Sequence, residues 1–145
     1  MKHNFFRKFG RTYRLAHRYL GNQLEPYGLS KGQPRILRLL VSHNCKTQKD
    51  LLQKMDIRPA TLTRMLQRME KNGLLIRTPS PLDQRILEIQ LTELGHEAQD
   101  ASARVFHKMD QEFLALMTKE EKETLERVFT KFCEHLQEKE KGEKK

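Results

Sequence analysis

The sequence predicts a mainly α fold of six helices with a small β-hairpin inserted between the fourth and the fifth. Three observations carry that prediction. Long stretches at both ends repeat apolar residues every three or four positions, the spacing of one helix face. Two shorter helical stretches meet in the middle around Pro59. Behind them Leu87, Ile89 and Leu91 alternate with Glu88 and Gln90, the period of a strand.

The first helix runs from about Phe5 to Glu25, with Phe5, Phe9, Tyr13, Ala16, Leu20 and Leu24 on one face. Pro26 and Gly28 close it. Ser30 is placed to cap a second helix through Leu40, and Pro34 falls in its first turns, where a missing N–H costs little. Thr47 opens a third helix to Met55, with Asp50 three residues on as its capping partner. The fourth runs from Pro59, suited to a first helical position, to Asn72-Gly73, a left-handed stop. Leu62, Met65, Leu66 and Met69 form its apolar stripe.

The segments Leu74–Arg77 and Arg85–Leu91, around a Pro/Ser/Asp turn, read as two short strands. From Thr92 two more helices follow. The first carries Ala98, Ala101, Val105, Met109, Phe113 and Leu116; the second carries Leu125, Val128, Phe129, Phe132 and Leu136. Thr118 and Glu121 form a capping box between them.

The 145 residues suit one domain, and the net charge of +9 points to an anionic partner. Residues 1–20 hold Lys2, Arg7, Lys8, Arg11, Arg14 and Arg18 without one acid, and 58–90 are basic as well. No apolar run is long enough to cross a bilayer, and the N-terminus lacks a signal peptide's apolar stretch, so a cytoplasmic protein with no membrane partner is expected. Cys45 and Cys133 form no CxxC motif and read as inert or lightly buried thiols; the alternative is a sensor role for Cys45, whose pKa a cation at His43, two residues earlier, would lower. The six histidines form no HxxxH or HExxH pair, so neither a metal site nor a cofactor is signalled. No phosphate loop, nucleophile elbow or paired-carboxylate site points to an enzyme.

The third and fourth helices with the hairpin make a winged helix-turn-helix, in which the second helix of the pair enters a DNA major groove. Arg64 and Arg68 suit guanine edges or phosphates, Gln67 suits adenine, and Thr61 and Thr63 suit phosphate or a thymine methyl. At the hairpin tip Asp83 is placed to hold the guanidinium of Arg85, and a fixed arginine suits a narrow minor groove. Arg77 reads equally as a phosphate contact or as a solvated strand-end charge.

The run RPATLTRMLQRMEKNGLLIR, followed by PSPLDQRILEIQLTELG, resembles the recognition helix, wing and following helix of the MarR family of bacterial regulators. Its most specific pieces are Asp83-x-Arg85 ahead of Leu91-Thr92-x-x-Gly95, and Gly73-Leu74 with Arg77. The resemblance extends from about Phe5 to Leu136. It implies one domain over 1–145, with a DNA-binding core of about 30–92 and dimerisation helices of about 4–25 and 93–138. It further implies a homodimer held by its N- and C-terminal helices, reading an inverted repeat of double-stranded DNA as a repressor, under small-molecule or oxidant control. Tyr13 and His17 are the candidate effector-pocket residues. The peroxide-sensing relatives' first-helix cysteine is missing beside Tyr13 and Tyr19. Arg58 stands where many relatives have a small capping residue, which either weakens the helix start or adds a cation near a phosphate. Two other readings stand beside this one: a winged-helix protein-interaction module without DNA reading, and a thiol- or metal-responsive form of the regulator.

Overall fold

The computed structural model describes residues 4–42 and 44–143. Among them are six α-helices and one hairpin: α1 Phe5–Leu24, α2 Gln33–Val41, α3 Gln48–Lys54, α4 Pro59–Lys71, β1 Leu75–Pro79, β2 Leu87–Leu91, α5 Glu93–Leu114 and α6 Lys119–Glu143. A single 3-10 turn, Glu25–Tyr27, follows α1. The expected order holds throughout. The chain divides into two units, 1–106 and 107–145.

The core of the first unit gathers Leu24, Ile36, Leu37, Leu51, Leu62, Leu66, Met69 and Leu75, each no more than 1% exposed. The predicted stripe of α4 and the C-terminal end of the α1 stripe, Leu20 and Leu24, supply part of this core, whereas Phe5, Phe9 and Tyr13 of the α1 stripe stay exposed. Met65 is only half-buried; its methyl lies against Gly32, where an added Cβ would meet it at 2.5 Å.

Helix α2 starts differently from expectation. Its N-cap is Gly32 and no side chain caps it. The Ser30 N–H instead donates to Gln33 Oε1 at 2.9 Å, while the Gln33 N–H donates to the Ser30 carbonyl. Gln33 is 1% exposed, and burial of its amide oxygen requires a donor, which the Ser30 main chain supplies. The serine therefore serves through its backbone.

Strands β1 and β2 pair antiparallel, Leu75 opposite Leu91 through Pro79 opposite Leu87. The second strand starts at Leu87, two residues later than expected, because Leu82–Ile86 are used to turn the chain. An isolated bridge lies beside it: Thr47 bridges Glu88, and the Ile89 N–H donates to the Lys46 carbonyl at 2.7 Å. Sequence periodicity cannot reveal a bridge one residue long.

The junction of wing and α5 is tight. Thr92 donates its N–H to the Leu74 carbonyl and its hydroxyl to the Gly73 carbonyl, and accepts from the Gly95 N–H. Gly73 has φ +76°, which favours glycine. At Gly95 a Cβ would lie 2.0 Å from the Leu74 oxygen, so only glycine lets the strand start this close to the helix.

In the second unit α6 is amphipathic, yet none of its residues is buried; Leu125, Phe129, Phe132 and Leu136 are 38–61% exposed. The expected capping box opens it: the Thr118 N–H donates to Glu121 Oε2, and the Glu121 N–H donates to Thr118 Oγ1.

Candidate nucleic-acid interface

The helix-turn-helix is built on a full capping box. The Asp50 N–H donates to Thr47 Oγ1, and Asp50 Oδ2 accepts from the N–H groups of Thr47 and Lys46, both at 2.9 Å. These donors, the Lys46 N–H above all, hold the Asp50 carboxyl below the ordinary carboxylate range. The same residue therefore caps α3 and fixes the strand segment that receives the wing.

Helix α4 begins with Arg58 as N-cap, its carbonyl accepting from Thr61 and Leu62 and its side chain making no cap bond. The exposed guanidinium thus stands at a helix N-terminus, where the backbone already favours an anion. With Leu62, Leu66 and Met69 turned inward, Arg64, Gln67 and Arg68 are exposed on the opposite face, with Thr61 half-buried at its margin. Lys71 falls on that same exposed face by its spacing from Arg64 and Arg68, a position the residue-type argument left out.

Thr63 is not a free reading group. Its hydroxyl donates to the Pro59 carbonyl at 3.0 Å and accepts from Gln48 Nε2 at 2.7 Å. It latches α3 to α4, and Gln48 is a positioning residue with no local sequence signal. Arg77 is likewise occupied. Its Nε and Nη2 both donate to Glu70 Oε2, at 3.2 and 2.7 Å, and this hydrogen bonding lowers the Glu70 pKa. The pair ties the base of the wing to the last turn of α4. Seven residues separate the partners across a chain reversal, so no helical spacing rule would have found it.

The wing tip corrects one expectation. Asp83 Oδ1 accepts from the backbone N–H of Arg85, and the Asp83 carbonyl from Ile86; among the described residues no ion pair joins the two side chains. A carboxylate two residues ahead of an N–H closes a local turn at less entropic cost than ordering a long arginine. Ser80, 5% exposed, anchors the other side, its hydroxyl donating to Glu88 and accepting from Leu82. The backbone of the tip is therefore fixed while Arg85 extends into solvent. Among the described residues Arg58, Arg64, Arg68 and Arg85 have no ion-pair partner.

Tyr13 and His17 stack on one another along α1, ring centroids 5.3 Å apart, with Tyr13 60% exposed. Cys45 is buried, and that burial pushes its pKa up; Lys54 opposes the shift only in part. This suits a buried thiol rather than one activated by a neighbouring cation; His43, the cation offered for such activation, lies outside the described residues. No cluster of three potential metal ligands occurs among the described residues, and none of their helices is long and apolar enough to cross a membrane.

The chain is similar to several known regulators. The MarR family model matches residues 29–87. The HTH-type transcriptional regulator YdgJ of Bacillus subtilis is 33% identical over 98 residues, 68% of this chain and 60% of YdgJ. The transcriptional regulator HosA of Escherichia coli O111:H- is 33% identical over 95 residues, 66% of this chain and 70% of HosA. The aligned region is thus less than two thirds of YdgJ's own length. A MarR-like transcription regulator from Bacillus cereus superposes with a TM-score of 0.78 at 27% identity, covering 92% of this chain and 96% of that one. The MepR protein of S. aureus, solved as a DNA complex, shares the fold with a TM-score of 0.77 at 22% identity, over 91% and 96% of the two chains.

Proposed function

This chain belongs to the MarR family of transcriptional regulators, and on that premise we propose that it acts as a cytoplasmic homodimer binding an inverted-repeat operator, as a repressor under small-molecule control. The observation that carries this reading is the joint placement of uncompensated arginines on α4 and at the wing tip. Arg64, Gln67 and Arg68 suit a major groove; Arg85, on its fixed turn, suits the adjoining minor groove. Arg58, Thr61 and the α4 N-terminus suit phosphates. Thr63, Arg77 and Asp83 support these groups by holding α4 and the wing in shape. The fold itself binds DNA in S. aureus MepR. The activity is binding, with no catalytic step.

The exposed apolar side chains of α1 and α6 support dimerisation: Phe6 is 82% and Leu136 61% exposed, and a second copy would cover them. The domain plan follows, with a reading core of about 30–92 between dimerisation helices of about 4–25 and 93–138. Effector control rests on the stacked Tyr13–His17 pair as an aromatic platform. Ligand binding there would favour one spacing of the two reading heads, and the coupling would be reciprocal.

The test is operator binding by Arg64→Ala and Arg85→Ala proteins that retain their helical content. Each loses about 5- to 150-fold in affinity, the range for a groove-reading arginine. Undiminished affinity in both removes the assignment. A winged-helix module that binds protein would show a salt dependence too shallow for phosphate contact.

A further inference from the structure

Helix α1 carries a second basic surface that the reading heads do not use. Its residues include five cations and no acid. Arg7, Arg11, Arg14 and Arg18 recur at intervals of four, three and four, so at about 100° per residue they fall within about 60° of one another. They form a straight stripe about 16 Å long at 1.5 Å per residue. All four are exposed, and among the described residues none has an ion-pair partner. Arg7, Lys8, Arg11 and Arg14 border one shallow depression on the helix surface. The stripe lies on the side away from the buried Leu20.

Like charges at such spacings oppose helix formation. An anionic partner would relieve that repulsion. Helix α6 of a second copy does not have the matching chemistry: the face opposite its apolar stripe mixes Glu120, Glu123, Glu134 and Glu138 with Arg127, Lys131 and Lys141. A continuous polyanion does have it.

We propose that this stripe is a second, sequence-independent binding surface for the phosphate backbone of duplex DNA. Four of the five cations are arginines, whose planar forks match phosphate oxygens in pairs. A 16 Å length of duplex presents about ten phosphates, enough for every arginine to find one. A protein holding one segment by α4 and the wing would hold another by α1, bridging two duplexes or two parts of one. The proposal does not depend on operator reading, because it concerns charge alone.

The experiment compares the full chain with a variant carrying Arg7→Gln, Arg11→Gln, Arg14→Gln and Arg18→Gln, changes that keep helix propensity. Binding to an arbitrary duplex of about forty base pairs is measured across a salt series, together with co-capture of two differently labelled duplexes. The slope of log affinity against log salt should fall by about 2 to 3.6, at about 0.9 per phosphate contact. Co-capture should be lost, and the corresponding four Arg→Lys changes should restore both. The slope is read on an arbitrary duplex, so a failure of operator reading leaves this result intact. If the fourfold variant does not fold, the pairs Arg7→Gln with Arg14→Gln and Arg11→Gln with Arg18→Gln should each lower the slope by about half as much. An unchanged slope in a folded variant overturns the proposal. So does an unchanged slope with loss of binding to phosphatidylserine vesicles, which would assign the stripe to a membrane surface.

Discussion

Replacing Gly95 with alanine should destabilise the fold, although the same change at an unconstrained helix position stabilises it. Alanine in a helix is favoured over glycine by about 1 kcal/mol. At Gly95 that gain meets the Leu74 carbonyl: the added Cβ would sit 2.0 Å from its oxygen and 3.2 Å from the Leu91 Cβ. Real Cβ atoms essentially never approach within 3.0 Å, so β1 and α5 must separate by about 1 Å. That displacement stretches the Thr92 N–H to Leu74 bond, now 3.1 Å, beyond bonding distance and disturbs the Thr92 hydroxyl bond to Gly73. Two bonds at about 1 kcal/mol each, with about 1–3 kcal/mol of overpacking, outweigh the propensity gain. The net loss is about 2–4 kcal/mol. Gly142→Ala, where a Cβ meets nothing within 4 Å, is the control of opposite sign. Equilibrium urea unfolding at one fixed protein concentration measures both. A Gly95→Ala protein as stable as the parent would refute the close-approach argument, and with it the physical reason for glycine in the Leu91-Thr92-x-x-Gly95 motif.

Three further outcomes are expected. Asp50→Ala should cost about 1–2 kcal/mol by removing the α3 cap. Because the folded-state pKa of Asp50 is depressed, its contribution is complete above its unfolded pKa of about 4 and is lost as pH falls through the lower folded value. The parent and the variant should therefore converge only in acid, as pH-dependent unfolding would show. Arg77→Ala should reduce DNA affinity less than Arg85→Ala while lowering thermal stability, since Arg77 is bound to Glu70 and Arg85 is solvated; anisotropy titrations and melting curves separate the two. Thiol alkylation near neutral pH should label the exposed Cys133 first and reach Cys45 only on unfolding, which mass spectrometry of the labelled peptides would read out.

Much of this fold was legible because its signals are local. Apolar spacing marked α1, α4, α5 and α6, Pro34 marked the first turns of α2, Pro59 and Gly73 marked the ends of α4, and Thr47 with Asp50 marked the start of α3. What escaped were interactions between side chains or strands distant in the chain. The Lys46–Ile89 bond, the Gln48–Thr63 latch and the Glu70–Arg77 pair each join two elements, and no periodicity encodes them. The wing showed the other limit. Asp83 and Arg85 were found by type and spacing, but residue types alone did not decide between the guanidinium and the backbone N–H as the carboxylate's partner. Ser30 fails to cap α2 for a related reason, since its N–H serves the buried Gln33 amide and that burial depends on tertiary packing.

The most direct test of the central claim is selection from a pool of random duplexes by the purified full chain, repeated across a salt series. The account predicts an enriched inverted repeat with half-sites about one helical turn, or a multiple of it, apart. Affinity for that repeat should fall steeply as salt rises. Enrichment of no motif, or a single half-site without its inverted partner, would contradict a dimer that reads DNA with two winged heads.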